Sequence, residues 1–212
     1  MQYDYCIWDF NGTLLDDVQT GITSVNTLLA QRNLPLVEGV EHYRKIFRFP
    51  IIDYYRSLGF DFDSEPYEVL APKWVALYLE NVKNAKIYSD VIPTLESFRS
   101  KGIRQSVLSA TEINMLEGQL LSLGIRDFFE EIMGLDNIHA GSKLQLAYSW
   151  RERNAGKKAL LIGDTDHDLE TAKALGADCV LVCRGHQSRE YLLTLGVPLA
   201  DTLEEVINLL QQ

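Results

Sequence analysis

Two short acidic segments carry the residues of this sequence that are best suited to chemistry. Asp9 opens the segment 9–14, DFNGTL, directly after the apolar run 5–8. The segment 163–168, GDTDHD, follows the apolar run 159–162 in the same way. Each segment places a carboxylate where a buried strand meets a turn that contains glycine. Because neighbouring parallel strands end in one crevice, the two acidic segments predict a bound cation and phosphate chemistry.

The composition is that of an ordinary globular protein, and its charge restricts the partners. The 212 residues are 46% hydrophobic and 24% charged, which fits one large domain or a core with a smaller insertion. The net charge of −10 argues against nucleic acid or an anionic membrane as a partner. No basic segment leads into a long apolar stretch, and no apolar run reaches the length of a membrane span. We therefore expect a cytoplasmic protein, either a monomer or a homodimer.

The alternation of β-rich runs with amphipathic helical stretches predicts an α/β fold with a doubly wound parallel sheet. Five strands are expected, at residues 3–9, 103–109, 131–135, 158–163 and 179–183. Pro93 suits the start of a helix that ends near Lys101. Thr202 and Glu205 have the spacing of a capping box at the start of the last helix.

The interval 15–86 interrupts this alternation. It contains helical patterns and no pair of strands, the helices being expected at residues 17–31, 51–58 and 65–81. We interpret residues 15–86 as an inserted helical cap domain, and residues 1–14 and 87–212 as the core domain. Two hinge strands would join the cap to the core beside the acidic crevice, where a cap can exclude water and select the substrate.

Four motifs follow one another along the chain. The first motif is 9–13, the second ends at Ser109 in VLS, the third is Lys143 in GSK, and the fourth is 163–168. These motifs span nearly the whole core, and in this order they make the chain resemble the haloacid dehalogenase superfamily, on the phosphoglycolate phosphatase-like branch with a helical cap. The resemblance implies a Rossmann-like core and a magnesium-dependent phosphatase for a small phosphorylated metabolite.

The resemblance also implies how the residues of the first and fourth motifs act. Asp9 would be the nucleophile and would form an aspartyl phosphate that water then hydrolyses. Asp9, the main-chain carbonyl of Asn11 and Asp164 would hold one Mg²⁺ ion, which prefers oxygen ligands. Asp168 would orient Lys143 or waters on the metal.

The resemblance assigns the binding of the phosphoryl group to three further side chains. Thr13, Ser109 and Lys143 would bind the phosphoryl oxygens and stabilise the charge during transfer. Within the fourth motif, Asp166 and His167 are interpreted as structural. The other histidines have no Cys or His partner at metal spacing and are interpreted as surface or packing residues; for His186, a position facing the crevice is the alternative.

Asn11 is where the sequence departs from the family. Phosphatases of this superfamily usually have a second Asp here, which protonates the leaving group and then activates water. An amide cannot carry that proton, and acid–base catalysis contributes ~10²–10⁴-fold. The loss matters most for alkyl phosphates and least for acyl or aryl phosphates. Three explanations stay open: another group such as Asp16 or a cap residue supplies the proton, the substrate is an activated phosphate, or the protein is a catalytically impaired binder of a phosphometabolite.

Other reactions of the superfamily fit the sequence less well. Dehalogenases dispense with the metal and lack an acidic fourth motif, so dehalogenation is disfavoured. A phosphonatase-like C–P hydrolase, which would need a cap lysine such as Lys45 or Lys73, ranks third. A sugar phosphate mutase depends on the acid and base that are missing at Asn11.

The cap segment 42–50, HYRKIFRFP, places three cations among aromatic residues in an acidic protein. It resembles the substrate-facing part of phosphoglycolate phosphatase-like caps. Arg44 or Arg48 would then bind a carboxylate or second phosphate of a small substrate, since arginine is suited to bidentate contact. The alternative is a basic helix face with aromatic core residues.

Overall fold

A computed structural model describes residues 3–138 and 142–210 of the chain. Within these residues the chain forms the strands β1 (Tyr5–Trp8), β2 (Leu15–Asp16), β3 (Lys86–Ile87), β4 (Arg104–Glu112), β5 (Glu131–Leu135), β6 (Ala159–Gly163), β7 (Asp178–Val182) and β8 (Leu199–Ala200). Six of them form one sheet in the order β5-β4-β1-β6-β7-β8, and every neighbouring pair is parallel.

The helices cover both faces of this sheet or lie between β2 and β3. They are α1 (Val18–Ala30), α2 (Gly39–Ile46), α3 (Ile51–Ser57), α4 (Tyr67–Asn81), α5 (Val91–Ser100), α6 (Ile113–Ser122), α7 (Leu144–Arg153), α8 (Asp166–Leu175), α9 (Arg189–Leu193) and α10 (Leu203–Leu209). None of these described helices is long and apolar enough to cross a membrane.

The central strand β1 is buried on both faces, which is why its sequence is a continuous apolar run. Cys6 and Trp8 belong to one buried cluster, and Tyr5 and Ile7 belong to a second cluster on the opposite face. Successive side chains of a strand point to opposite faces, so each cluster receives alternate residues of the same strand. The prediction of a doubly wound parallel sheet is thereby confirmed.

The predicted strands are confirmed, with ends that differ by at most three residues. The prediction missed β8, a two-residue edge strand too short to show a periodic pattern. Thr202 begins α10 as predicted, because its side chain accepts a hydrogen bond from the backbone N–H of Glu205. The predicted strand at residues 103–109 continues to Glu112, where β4 passes directly into α6.

The segment from α1 to α4, called the cap below, has a hydrophobic cluster of its own, in which Leu29 and Leu70 are fully buried. β2 and β3 pair antiparallel at both ends of this helical segment and form the two expected hinge strands. α2 was not predicted as a separate helix. The division into a cap domain 15–86 and a core domain 1–14 and 87–212 stays a prediction.

Candidate active site

The carboxyl edge of the sheet brings together five side chains that the motifs singled out. Asp9 directly follows β1, Ser109 lies in β4, and Asp164 directly follows β6. Lys143 precedes α7, and Asp168 lies in the first turn of α8. All five are buried, and all five line one cavity. The parallel register explains this convergence, because Trp8 pairs with residues 107 and 162 of the neighbouring strands.

Lys143 is held between two carboxylates. Its Nζ lies 2.6 Å from Asp9 Oδ1 and 2.6 Å from Asp168 Oδ1. Burial alone would lower the pKa of Lys143, but the charges of Asp168 and Asp9 outweigh burial and raise it above its ordinary value. The side chain therefore stays a cation beside Asp9.

Asp168 is positioned by the start of α8. Its Oδ2 accepts hydrogen bonds from the backbone N–H groups of Asp164 and Thr165 at 3.0 and 2.9 Å, and from the Thr165 hydroxyl at 2.8 Å. Thr165 and Asp168 form a capping box. Its other oxygen accepts a hydrogen bond from Lys143. Because the backbone fixes one oxygen of Asp168, the other oxygen can hold Lys143 in a defined orientation.

Asp164 lies in a tight backbone cradle. Its Oδ1 accepts the Thr13 hydroxyl at 3.0 Å, and its Oδ2 accepts the backbone N–H of His186 at 2.6 Å. A Cβ at Gly12 would lie 2.5 Å from Asp164 Oδ2, and one at Gly185 would lie 2.0 Å from it. Gly12 also has a φ of +72°, which favours glycine. Thr13 therefore orients Asp164 and is not among the cavity-lining residues, although a contact with phosphate was expected for it.

The donor set at this edge fits a hard divalent cation. Oxygens of Asp9, Asp164 and Asp168 lie within 4.8 Å of one another, with Lys143 as the nearby ammonium group. Burial, and next the charge of Asp168, raise the pKa of Asp9 well above its ordinary value. Burial raises the pKa of Asp164 to about 6, although the charge of His186 acts to lower this pKa. This excess of buried negative charge is what a Mg²⁺ ion with oxygen ligands would neutralise.

Lys143→Met should lower the free energy of unfolding by about 3–5 kcal/mol without divalent cations, because it leaves the buried carboxylates of Asp9 and Asp168 without their cation. Urea unfolding at neutral pH measures the change. Lys157→Met is the matched control, since Lys157 is exposed. A loss below about 1 kcal/mol would contradict the buried ion pairs.

The Asn11 side chain is fixed by four polar neighbours. Its Nδ2 donates to Asp17 Oδ2 and to the Tyr78 hydroxyl, both at 2.8 Å. Its Oδ1 accepts the Thr111 hydroxyl at 2.8 Å, and the Ser109 hydroxyl lies 3.4 Å away. An amide satisfies this arrangement because it has both donors and an acceptor, whereas a carboxylate would face Asp17 with like charge.

Asp17 is a site residue that the motifs did not identify. Its Oδ1 accepts the backbone N–H of Gly12 at 2.8 Å and lies 3.3 Å from His186 Nε2. Burial would raise the pKa of Asp17, but the charge of His186, together with hydrogen bonds from His186, Tyr78 and Asn11, lowers the pKa below its ordinary value. Asp16, the acid suggested from the sequence, is exposed and does not line the cavity. Side chains alternate in and after β2, so that Leu15 and Asp17 are buried and Asp16 is exposed. This alternation is the sequence signal that could have identified Asp17, and not Asp16, as the site residue.

His186 faces the crevice, which was the alternative interpretation of this residue from the sequence. Its Nδ1 lies 2.9 Å from the Tyr43 hydroxyl, which belongs to the cap, while its Nε2 faces Asp17. Burial would lower the pKa of His186, but the charge of Asp17 and the hydrogen bond to it, together with the charges of Asp164 and Asp9, raise the pKa to about 9. His186 and Asp17 therefore form a buried ion pair at the point where the chain enters the cap.

The cavity lies between the acidic edge and the cap, has a volume of about 160 Å³, and is walled on the cap side by aromatic rings. Neither Arg44 nor Arg48 lines it. Arg44 donates to the backbone carbonyls of Arg184 and Gly185, and Arg48 is exposed and donates to the carbonyl of Ile46. The structure does not bring these two predicted substrate contacts to the phosphate-binding residues.

The lysines considered for a Schiff base are also outside the cavity. Lys45 is exposed, and Lys73 binds Glu65 at 2.6 Å on the cap surface. Of the lysines and arginines in residues 3–138 and 142–210, Lys143 alone lines the cavity. His139, one of the histidines without a Cys or His partner at metal spacing, lies outside the described residues.

One family model, curated relatives and solved structures are similar to this chain. The family model described as haloacid dehalogenase-like hydrolase matches residues 6–182. The phosphoglycolate phosphatase of Nitrosococcus oceani is 27% identical, over 100% of this chain and 98% of that protein. The tyrosine-protein kinase PtkA of Mycobacterium tuberculosis is 25% identical, over 94% of this chain and 70% of that protein. The haloacid dehalogenase-like hydrolase SP0104 from Streptococcus pneumoniae superposes with a TM-score of 0.83 at 20% identity, covering 98% of each chain.

Proposed function

The chain belongs to the haloacid dehalogenase-like hydrolases, and on that premise we propose that it is a magnesium-dependent phosphatase for small phosphorylated metabolites. The position of Asp9 carries the proposal: it is buried at the end of the central strand, bonded to Lys143, and lines a cavity together with Ser109 and Asp164. Phosphoglycolate is the first compound to test, because the similar protein from N. oceani is a phosphoglycolate phosphatase.

In the proposed reaction, Asp9 attacks the phosphoryl group and forms an aspartyl phosphate, which water hydrolyses. Lys143 and Ser109 bind the phosphoryl oxygens and stabilise the charge during transfer. Asp168 holds Lys143 in place. Mg²⁺ would be held by the carboxylates of Asp9 and Asp164 and by the main-chain carbonyl of Asn11. When bound, the ion would offset the electrostatic repulsion between Asp9 and an anionic phosphoryl group.

A screen of phosphate release tests this function. The substrates are aryl, acyl and alkyl phosphates, phosphoglycolate included, each assayed after treatment with chelator and again after addition of magnesium. We expect turnover that is lost with chelator and restored by magnesium. A lack of turnover with every class under both conditions would contradict the phosphatase function.

Asp164→Ala should reduce the affinity for magnesium at least about tenfold, because the substitution removes a carboxylate ligand. Isothermal titration calorimetry measures the affinity directly, without an activity assay. Asp166→Ala is the matched control: Asp166 belongs to the same motif, but it binds Gln187 and Tyr191 and does not line the cavity. Equal magnesium affinity in the Asp164 variant and the parent would remove Asp164 from the metal site.

A second candidate is a protein that binds a phosphorylated metabolite with little turnover. The way in which Asn11 is held favours it, because its neighbours Asp17 and Tyr78 fix an amide where phosphatases of this superfamily have an acid. Metabolite binding in calorimetry without turnover in the screen would select this candidate. A phosphonatase-like reaction finds no support among the described residues, since Lys143 is bonded to two carboxylates and Lys45 and Lys73 are remote from the cavity.

A further inference from the structure

The wall of the cavity opposite Asp9 is strongly aromatic. Eight aromatic rings of the cap line it, among them Phe47, Tyr54, Trp74 and Tyr78. Several pack against one another, with centroid separations of 5.2 Å for Phe47 and Tyr54 and 5.0 Å for the stacked pair Trp74 and Tyr78. This wall reaches the reacting groups, because the Tyr78 hydroxyl lies 2.8 Å from Asn11 Nδ2.

The charges around the cavity do not favour a substrate with a second anionic group. Its described lining has five carboxylates, including Asp17 and Glu112, against the ammonium group of Lys143 and two histidines. Lys143 is already paired with Asp9 and Asp168, and the charge of His186 is paired with Asp17. The faces of aromatic rings carry partial negative charge, and burying a carboxylate without a partner is costly. A substrate carboxylate would therefore lack a counter-charge in the part of the lining that the structure describes.

We propose that this cavity holds the ring of an aryl phosphate, so that the preferred substrates are phosphate monoesters of phenols. This inference rests on the proposed phosphatase function and specifies its substrate class. A cavity of about 150 Å³ can hold benzene, so the whole cavity, with a volume of about 160 Å³, limits the substrate to a single ring. Offset or edge-to-face contacts with the cap rings would stabilise it.

The identity of residue 11 supports the same substrate class independently. When Asp9 forms its bond to phosphorus, the bond between phosphorus and the ester oxygen breaks, and the leaving oxygen keeps the electron pair. An aryloxide leaves without being protonated first and takes a proton from water afterwards. An alkoxide needs a proton during the step, which Asn11 cannot supply.

Binding of two non-hydrolysable phosphonates tests the substrate class separately from turnover. Benzylphosphonate is the analogue of phenyl phosphate, and 3-phosphonopropionate is the analogue of phosphoglycolate. In titration calorimetry with magnesium present, we expect benzylphosphonate to bind at least tenfold tighter. If 3-phosphonopropionate binds as tightly or more tightly, the aryl inference is overturned while the phosphatase proposal stands. If neither binds, the phosphate site itself is overturned, and both proposals with it.

Two identical substitutions locate the ring site. Phe47 and Phe62 both pack against the buried cluster of the cap, but Phe47 lines the cavity and Phe62 is not among its lining residues. Phe47→Leu should weaken benzylphosphonate binding about fivefold and leave 3-phosphonopropionate binding unchanged, since it removes a ring face from the cavity. Phe62→Leu should change neither affinity. Equal effects of the two substitutions, or loss of both ligands with Phe47→Leu, would overturn the assignment of the aromatic wall to the substrate ring.

Discussion

Asp9→Asn should reduce phosphate release by at least about 10⁴-fold, the scale on which loss of a catalytic nucleophile acts. The amide has the size of the carboxylate and can still accept the hydrogen bond from Lys143, but it is not a nucleophile. The substitution also removes a charge from a buried acidic cluster, so the thermal midpoint should not fall. Phosphate release and circular dichroism on the same preparation measure the two effects.

Asp16→Asn is the control for Asp9→Asn. It is the same chemical change at an exposed residue of β2 that does not line the cavity, and it should leave turnover unchanged. Hydrolysis near the parent rate in Asp9→Asn, in a preparation free of contaminating phosphatase, would show that another group is the nucleophile.

Exchanging the residues at positions 11 and 17, as Asn11→Asp with Asp17→Asn, should raise the turnover of alkyl phosphates by about 10²–10⁴-fold, the range of acid–base catalysis. The new carboxyl group stands where the family uses an acid, and the amide at position 17 can donate the hydrogen bond that Asn11 now donates to Asp17 Oδ2. Turnover of aryl phosphates should rise much less, because their leaving group hardly needs a proton. Single-turnover measurements keep the comparison on the chemical step.

Asn11→Asp alone is the informative control for the exchange. It would place a carboxylate at the 2.8 Å contact with the carboxylate of Asp17, and like charges at that distance oppose each other. The single substitution should therefore give a much smaller gain than the exchange. In the exchange variant, an equal change in the turnover of alkyl and aryl esters, or no gain for alkyl esters, would show that the missing carboxyl group does not limit the reaction.

The acidic edge could be predicted because its geometry follows from local patterns. Apolar runs of four or five residues mark buried parallel strands, and the residues that follow such strands meet at one edge. Asp9 and Asp164 follow β1 and β6 in this way. The motif order then placed Ser109, Lys143 and Asp168 around them.

The cap side of the site could not be predicted in the same way. Tyr78 meets Asn11 across 67 positions, and this contact depends on how α4 packs over the sheet. Helical periodicity indicates which side chains share a face, but not what that face will contact. Arg44 illustrates the limit. The sequence pattern around it fits a substrate contact as well as a structural role, yet its guanidinium group donates to backbone carbonyls that follow β7.

The central position of β1 also determines the order in which the molecule can assemble. β1 precedes its partners β4 and β6, which begin at residues 104 and 159, so both pairings close long stretches of chain. Contacts of such high sequence separation form slowly, and an apolar strand that waits for them is prone to aggregation. Because Asp9 follows β1 and Asp164 follows β6, the reactive centre cannot form before β6 has docked beside β1.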